Sequence, residues 1–244
     1  MNKKPQSTSG TRLNKFIANA GICSRREADK HIADGKVKIN GEVVREMGYK
    51  VQRKDTVEFE GKKLQGQLKE YILLNKPKDF ITTVTDDRGR KTVMDLVKNA
   101  TQQRIYPVGR LDRMTTGLLL FTNDGALTEK LTHPKYEVRK IYHVVLNKNV
   151  SPNDLGALRT GLELEDGAIK ADKASFVDGE KKNHVGIEIH SGRNRIVRRM
   201  FEHLGYDVER LDRVVFAGLT KKDLPRGKWR KLTQEEVRLL RNFT

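Results

Sequence analysis

The 244-residue sequence has a single cysteine, Cys23, and no long hydrophobic segment. One cysteine cannot form an internal disulfide or the cysteine-rich ligand set of a structural zinc site. No apolar run approaches the roughly 20 residues that cross a bilayer, and the N-terminus lacks the apolar stretch of a secretion signal. These absences exclude a disulfide scaffold and a membrane-spanning protein. We therefore expect a cytoplasmic protein with no membrane partner.

The short motifs of several large enzyme classes are also absent. The sequence contains no GxxxxGK[ST] phosphate-binding loop, no GxGxxG turn, no HExxH and no GxSxG. Its six histidines are dispersed, without the spacing of metal ligands. Nucleotide hydrolysis, dinucleotide-dependent redox chemistry, zinc hydrolysis and serine acyl transfer thus lose their usual signatures, and no metal site is predicted.

Positive charge is what the sequence has in excess. It contains 49 Lys and Arg against 32 Asp and Glu, a formal net charge of +17. Such a surplus usually accompanies a polyanionic partner, because neutralising phosphates releases their condensed counterions. A merely basic soluble enzyme would have the same composition, so composition leaves both possibilities open.

The composition and the hydrophobic pattern change along the chain and predict four segments. Residues 1–10 are polar and are expected to be disordered. Residues 11–60 have the pattern of a small helix–helix–hairpin unit, and the glycines at 61–70 indicate a linker. Residues 71–244 mix strands and helices without regular alternation. The predicted fold is therefore α+β, a mainly antiparallel mixed sheet preceded by a small α/β domain.

Local signals in residues 11–60 are clear. Ser24 and Glu27 fit a capping box that opens a second helix, and Asn40-Gly41 is a strong type I′ hairpin signal. The run Arg12–Val44 resembles the S4 RNA-binding module, which implies contact with structured RNA through its shape and phosphates. The residues predicted to make these contacts are Arg12, Lys15, Arg25, Arg26, Lys30 and Lys38.

In residues 71–244, hydrophobic patterns locate three strands and a helix. Tyr71–Leu74 and Leu118–Phe121 are predicted to be buried strands, and Phe80–Val84 a further strand. A helix begins near Ile196, and its spacing places Arg198 on the face opposite the buried stripe.

A carboxylate between two arginines is the candidate for chemistry. In Arg110-Leu111-Asp112-Arg113 the flanking cations favour an ionised acid, which can act as nucleophile or base. From the residues alone, Asp112 pairing with an arginine or capping a turn stays open. The similar string at 210–213 lacks the Thr-Thr-Gly that follows Asp112, so Asp212 is interpreted as structural.

Four blocks, in order, resemble bacterial pseudouridine synthases of the RsuA/RluB type, over about residues 12–234. They are LLNKPKD at 73–79, GRLDRMTTGLLLFTNDG at 109–125, RKIY at 139–142 and SGRNRIVRRM at 191–200. The segments at 161–167 and 224–229 are similar to the RluB-like group that modifies large-subunit RNA. The resemblance implies isomerisation of a specific uridine in ribosomal RNA, most simply a stem-loop of 23S rRNA, to pseudouridine without a cofactor.

The resemblance also implies roles for individual residues. Asp112 matches the catalytic aspartate, Tyr142 the ring that stacks on the target base, and Arg198 the basic residue that pairs with the aspartate in a water-excluding pocket. Arg110 matches the arginine that helps to hold the looped-out nucleotide. A core role for Tyr142 stays open, because residues 141–145 alternate like a strand. The remaining residues expected to contact RNA are Lys76, Arg193 and Arg195.

Other functions are compatible with the same sequence. The chain could be a non-catalytic S4-bearing ribosome-assembly factor that binds ribosomal RNA, or a synthase that acts on 16S rRNA or tRNA. The step performed by Asp112 is open between attack on C1′, attack on the base and removal of the 2′ proton. We expect the protein to be a monomer.

Overall fold

The chain folds into two compact units, Met1–Lys69 and Glu70–Thr244. The computed structural model describes residues 10–65 and 68–242, so the predicted disorder of 1–10 lies, except for Gly10, outside the described residues. The elements of the first unit are β1 (Thr11–Arg12), α1 (Leu13–Asn19), α2 (Arg25–Ala33), β2 (Val37–Ile39), β3 (Glu42–Val43), β4 (Lys50–Val51), β5 (Val57–Phe59) and β6 (Lys62–Lys63).

Helix α2 begins where the capping box predicted. The Ser24 side chain accepts from the Glu27 amide, and the Glu27 carboxylate accepts from the Ser24 amide, so two otherwise unpaired N–H groups are satisfied. Ala28 and Ile32 then face inward and are buried. They pack against the buried face of α1 in one small core.

The hairpin between β2 and β3 forms as predicted. Asn40 and Gly41 have φ of 52° and 88°, the left-handed pair that a type I′ turn requires. The sheet continues in the order β3-β2-β5-β6. Because Lys62 and Lys63 pair with β5, the start of the predicted linker 61–70 belongs to this sheet.

The second unit contains the larger sheet. Its helices are α3 (Val93–Val97), α4 (Gly125–Thr132), α5 (Pro152–Thr160), α6 (Ile196–His203) and α7 (Gln234–Arg241). Its strands are β7 (Tyr71–Lys76), β8 (Tyr106–Pro107), β9 (Thr116–Thr122), β10 (Lys140–Leu146), β11 (Leu162–Leu164), β12 (Gly167–Ile169), β13 (Lys173–Phe176), β14 (His184–Ile189), β15 (Val208–Phe216), β16 (Leu219–Thr220) and β17 (Trp229–Lys231).

The central sheet has nine strands among the described residues, in the order β13-β14-β10-β15-β9-β7-β17, with β16 beside β15 and β8 beside β9. The β9–β15 pair is parallel, and the other pairs described in this sheet are antiparallel. Helices α3, α5 and α6 contribute to the core on one face, and α4 and α7 to the core on the other. This arrangement confirms the predicted α+β fold.

One predicted strand is wrong. Residues 80–84 form no strand, and Ile81 makes only an isolated bridge to Thr92. The Thr82 hydroxyl instead binds both backbone groups of Leu111. The segment therefore serves as a brace for another loop rather than as part of the sheet.

The parallel junction between β9 and β15 depends on one glycine. Gly117 pairs with Arg213 and has φ of +106°. A Cβ there would lie 2.3 Å from the Arg213 carbonyl oxygen and 2.5 Å from its nitrogen. Only a residue without a side chain allows the two backbones to approach this closely.

We expect Gly117→Ala to destabilise the second unit by at least about 3 kcal/mol, since it adds a backbone clash to an unfavourable φ. Gly218→Ala is the matched control, because Gly218 has φ of +82° but nothing within 4 Å of a new Cβ. That variant should cost only about 1–2 kcal/mol. Urea denaturation of the full chain measures both, and equal losses would show that the close approach at Gly117 is unimportant.

Candidate active site

A cavity of about 190 Å³ opens in the second unit beside the start of β9. Asp112 comes from the loop before β9, Tyr142 from β10, and Arg193 and Arg195 from the segment before α6. Arg110 also lines the cavity. Thus five of the residues selected from three separate sequence blocks meet at one place.

The loop that carries Asp112 is built around a buried ammonium group. Lys76 is 0% exposed, and its Nζ donates to the carbonyl oxygens of Asp112 at 3.1 Å, Arg113 at 3.2 Å and Thr115 at 2.8 Å. A fourth bond of 3.1 Å goes to the Pro77 carbonyl. Lys76 therefore has no surface to offer RNA, in contrast to the prediction, because its ammonium group is buried and bonded to backbone carbonyls.

Burial sets the acidity of Lys76. Removing the ammonium from water lowers its pKa from the usual 10.5 to about 8, while Asp112 and Asp79 act in the opposite direction. The loop that carries Asp112 and the buried Lys76 ammonium are thus electrostatically coupled.

Two more contacts fix the same loop from outside. The Thr82 hydroxyl donates to the Leu111 carbonyl at 2.7 Å and accepts from the Leu111 amide at 3.2 Å. The Asp79 amide donates to the Arg113 carbonyl at 3.0 Å, and its carboxylate pairs with the Arg113 guanidinium at 2.9 Å. The backbone on both sides of Asp112 is therefore held in place.

The carboxylate of Asp112 is open to solvent, with 38% of its side chain exposed. Its ion pair is with Arg195, at 3.8 Å, and not with Arg198 as predicted. Arg195 precedes α6 in the left-handed conformation with φ of 48°, and its guanidinium lies between Asp112 and Glu202. The water-excluding pocket expected around Asp112 is not formed by the protein alone.

Arg198 lies inside the fold rather than on the outer face of α6. It is 8% exposed, and its Nη1 donates to the Val208 carbonyl at 2.8 Å. Burial and the neighbouring Arg195 lower its pKa, and Asp112 raises it. A guanidinium remains charged even so, which makes Arg198 a buried positive charge that acts on Asp112 without an ion pair between them.

Tyr142 is a core residue that also lines the cavity, and its stacking on a base stays a prediction. Its side chain is 9% exposed and belongs to the hydrophobic core, yet it also forms part of the cavity wall. Since the surrounding core fixes the ring, it presents a rigid aromatic surface to the cavity.

Sequence reasoning missed two cations of the cavity wall. The Lys140 ammonium donates to the carbonyls of Val138 at 2.8 Å and His190 at 2.6 Å, and burial, then Arg213, lowers its pKa to about 8. Arg213 is buried, and its Nε donates to Leu118. Lys140 lay within a recognised block, whereas Arg213 belongs to the string around Asp212 that was set aside as structural.

Three buried polar atoms in and beside the cavity have no hydrogen-bond partner among the described residues. They are Thr115 Oγ1, Arg198 Nε and Arg213 Nη2. Folded proteins leave few such atoms unpaired, so their concentration at one place is typical of a site that receives a polar ligand.

The cations predicted to contact RNA differ in their exposure and in whether they already have a partner within the protein. Arg110 is exposed and makes no ion pair within the described part of the chain, whereas Arg193 binds the Gly167 carbonyl at 2.9 Å and lies 3.6 Å from Asp166. In the first unit, Lys15 is half-buried and the other predicted cations are exposed: Arg12, Arg25, Arg26, Lys30 and Lys38. Their RNA contacts stay predictions.

Sequence comparison gives the family of the chain. Residues 70–203 match the model of the RNA pseudouridylate synthases, and residues 11–57 match the S4 domain. The chain belongs to the RNA pseudouridine synthase family and carries an S4 domain. The resemblance found in the sequence is confirmed.

Individual relatives cover nearly the whole chain. It is 47% identical over 234 residues to ribosomal large subunit pseudouridine synthase B of Bacillus subtilis, covering 94% of this chain and 95% of that protein. It is 43% identical over 229 residues to an uncharacterized RNA pseudouridine synthase of Aquifex aeolicus, covering 93% and 92%. A crystal structure of a pseudouridylate synthase, 31% identical, superposes with a TM-score of 0.67 and covers 94% and 99% of the two chains. Within the described residues, no helix is long and apolar enough to span a membrane.

The coupling between Asp112 and Lys76 can be measured directly. Asp112→Asn removes a charge that raises the Lys76 pKa, so this pKa should fall below about 8 while that of Lys140 is unchanged. Asp172→Asn should lower the pKa of Lys140 and leave that of Lys76 unchanged, because Asp172 raises the pKa of Lys140. Side-chain NMR of the lysines across pH tests this, and a common shift of both lysines would contradict it.

The lowered pKa values of Lys76 and Lys140 also make the free energy of unfolding depend on pH. In the unfolded chain their pKa returns to 10.5, so between about pH 8 and 10.5 the unfolded state binds more protons than the folded one. Their contribution to the free energy of unfolding should therefore rise with pH across this interval, because burying them costs less once they are neutral.

Thr82→Val should lower kcat about tenfold, equivalent to about 1.4 kcal/mol, because it leaves both backbone groups of Leu111 unpaired and loosens the approach to Asp112. KM should change little, since Thr82 does not line the cavity. Thr82→Ser keeps the hydroxyl and is the control. Steady-state assays on an RNA hairpin that the wild-type chain modifies decide this, and equal activities of the two variants would contradict it.

Proposed function

We propose that this enzyme converts a uridine in a stem-loop of large-subunit (23S) ribosomal RNA to pseudouridine, with Asp112 as the catalytic residue. The name of the Bacillus relative supports the large-subunit substrate, at 47% identity along nearly the full length of both chains. The observation that carries the catalytic assignment is the meeting of the Asp112 carboxylate and the fixed Tyr142 ring in one cavity.

The reaction is balanced without a donor or acceptor of electrons. The bond between N1 of uracil and C1′ breaks, the base rotates, and a bond forms between C5 and C1′. C5 loses a proton and N1 gains one, so the composition of the nucleotide does not change. This balance is why we expect no cofactor.

The base cannot rotate while it is stacked in a helix, so the nucleotide must leave the stack. Extrusion costs a few kcal/mol. Stacking on an aromatic ring such as Tyr142 is worth about 1–3 kcal/mol per base and offsets much of that cost. We assign Arg110, Arg193 and Arg195 to the phosphates around the extruded nucleotide, because their guanidinium groups lie at the cavity.

Asp112 needs its charge in each of the three routes that the sequence left open. Attack on C1′, attack on the base and removal of the 2′ proton all begin from a carboxylate. Arg195 lies 3.8 Å from the Asp112 carboxylate, and the buried positive charge of Arg198 acts on it as well. As the base enters, it covers a carboxylate that the protein leaves open and strengthens these interactions by excluding water.

The exposed cations of the S4 unit supply binding rather than chemistry. We assign Arg12, Lys15, Arg25, Arg26, Lys30 and Lys38 to contacts with the phosphates of structured RNA. The monomeric state and the cytoplasmic location stay predictions.

Mapping of pseudouridine in a strain that lacks the gene tests the proposal. Wild-type protein should restore a site in 23S rRNA, read by carbodiimide primer extension, and Asp112→Asn should reduce that modification by at least about 10²–10⁴-fold. Asp87→Asn, the same substitution at an exposed loop carboxylate, should restore it fully.

Each alternative has its own outcome. Modification that persists with Asp112→Asn contradicts the catalytic assignment. Restoration of a site in 16S rRNA or tRNA, with none in 23S rRNA, contradicts the proposed substrate.

A further inference from the structure

A second cavity, of about 520 Å³, lies on the opposite face of the same sheet. Successive residues of a strand point to opposite faces. On β10, Tyr142 lines the active-site cavity and His143 lines the second cavity. On β15, Arg213 lines the active-site cavity and Asp212 lines the second one. Leu211 borders both cavities, so they lie on the two sides of one strand.

The charge of this second cavity is positive in balance. Asp212 is held by two cations at once, a bidentate Arg226 at 2.9 and 3.0 Å and the Lys221 ammonium, and it also accepts from Thr116 at 2.9 Å. Burial alone would raise the Asp212 pKa, but these hydrogen bonds outweigh it and lower the pKa to about 2. A carboxylate held by two cations leaves one positive charge in excess.

Two further cations on the cavity wall have no carboxylate partner within the described residues. Lys78 and Arg210 are both exposed and line the cavity. Glu180 is the other acid of the wall, and it lies 3.3 Å from the His184 ring. The wall thus contains two acids, Asp212 and Glu180, that already have partners, and two cations, Lys78 and Arg210, that can still donate hydrogen bonds to a ligand.

The imidazole rings of His143 and His184 lie side by side in the same wall. Nε2 of His143 lies 3.2 Å from Nδ1 of His184, and the latter nitrogen is also the one that faces Glu180. A hydrogen bond between the two rings leaves one of the facing nitrogens without a proton. The charged groups that act on His143 are His184, Asp212, Glu180 and Lys221, and its burial, followed by His184, lowers its pKa.

We propose that this second cavity binds a phosphate group of the RNA backbone, with Arg210, Lys78 and the histidine pair as its donors. The proposal rests on the RNA substrate proposed above. A phosphodiester is a compact anion with several acceptor oxygens, which suits a wall of guanidinium, ammonium and imidazole donors. The RNA proposed as substrate carries such a group at every nucleotide, so a segment of it outside the active-site cavity can supply the phosphate.

Protonation couples to this binding. An anion in the cavity favours the charged form of His143, so protonation of this ring should tighten binding. Because burial and His184 lower the pKa of His143, affinity should fall as pH rises through the range below the usual imidazole value of 6.5.

The first experiment uses the full chain and dimethyl phosphate, a diester probe whose single charge does not titrate over this pH range. Imidazole NMR signals of His143 and His184 should shift in a saturable way. His133 and His190, which line the active-site cavity, are internal references for binding there. Arg210→Gln should weaken the affinity read at His184 about tenfold, and Arg238→Gln, an exposed arginine of α7, should leave it unchanged.

The second experiment identifies the source of the phosphate. Binding of a 23S hairpin transcript is measured against salt concentration, and Arg210→Gln should reduce the salt slope by about one phosphate contact relative to Arg238→Gln. His143→Gln should abolish the pH dependence of dimethyl phosphate binding. The absence of a shift at His184, or a shift that Arg210→Gln does not weaken, overturns the site.

Binding of dimethyl phosphate with an unchanged salt slope overturns the assignment to RNA and indicates a small phosphorylated ligand. The NMR readout needs no turnover, so it remains valid even if Asp112→Asn proves active or the modified uridine lies in another RNA.

Discussion

The ammonium group of Lys76 is the interaction on which the active site depends. A fully buried lysine must find acceptors for its protons or become neutral, and here its acceptors include the backbone carbonyls of Asp112, Arg113 and Thr115. The loop that carries Asp112 therefore surrounds a cation held at the end of β7. The same arrangement places positive charge beneath Asp112, so the structural requirement and the electrostatic one are met by a single side chain.

Local structure was predictable where short-range physics determines it. The capping box at Ser24, the left-handed turn at Asn40-Gly41 and the buried run Leu118–Phe121 depend on neighbouring residues or on a run too apolar to be exposed. The segment 80–84 has strand-like composition, but its Thr82 hydroxyl bonds to Leu111, 29 positions away. Such a contact has no signature in a local pattern.

The same distinction applies to the active site. Asp112 and Tyr142 were identifiable because family-like blocks surround them, whereas the function of Lys76 depends on a loop 36 positions later. The spacing of hydrophobic residues predicted that Arg198 lies on the outer face of α6. A helical pattern shows which residues share a face, but it does not show that β15, which begins at Val208, lies against that face. Arg195 replaces Arg198 at Asp112, since the left-handed backbone before α6 redirects its side chain, and no spacing rule anticipates that conformation.

The exposure of Asp112 has a consequence for catalysis. An ion pair at 3.8 Å between two half-exposed groups is weak in water, generally worth no more than about 1 kcal/mol. The field of the buried Arg198, by contrast, is poorly screened only when the cavity is dry. In the proposed mechanism the extruded base supplies that dryness, so full stabilisation of the carboxylate and of the charge that develops around it arises only with the correct nucleotide in place. Under the proposed assignments, exposed cations bind many RNA phosphates, while the carboxylate acts at full strength only on a nucleotide that has left its stack.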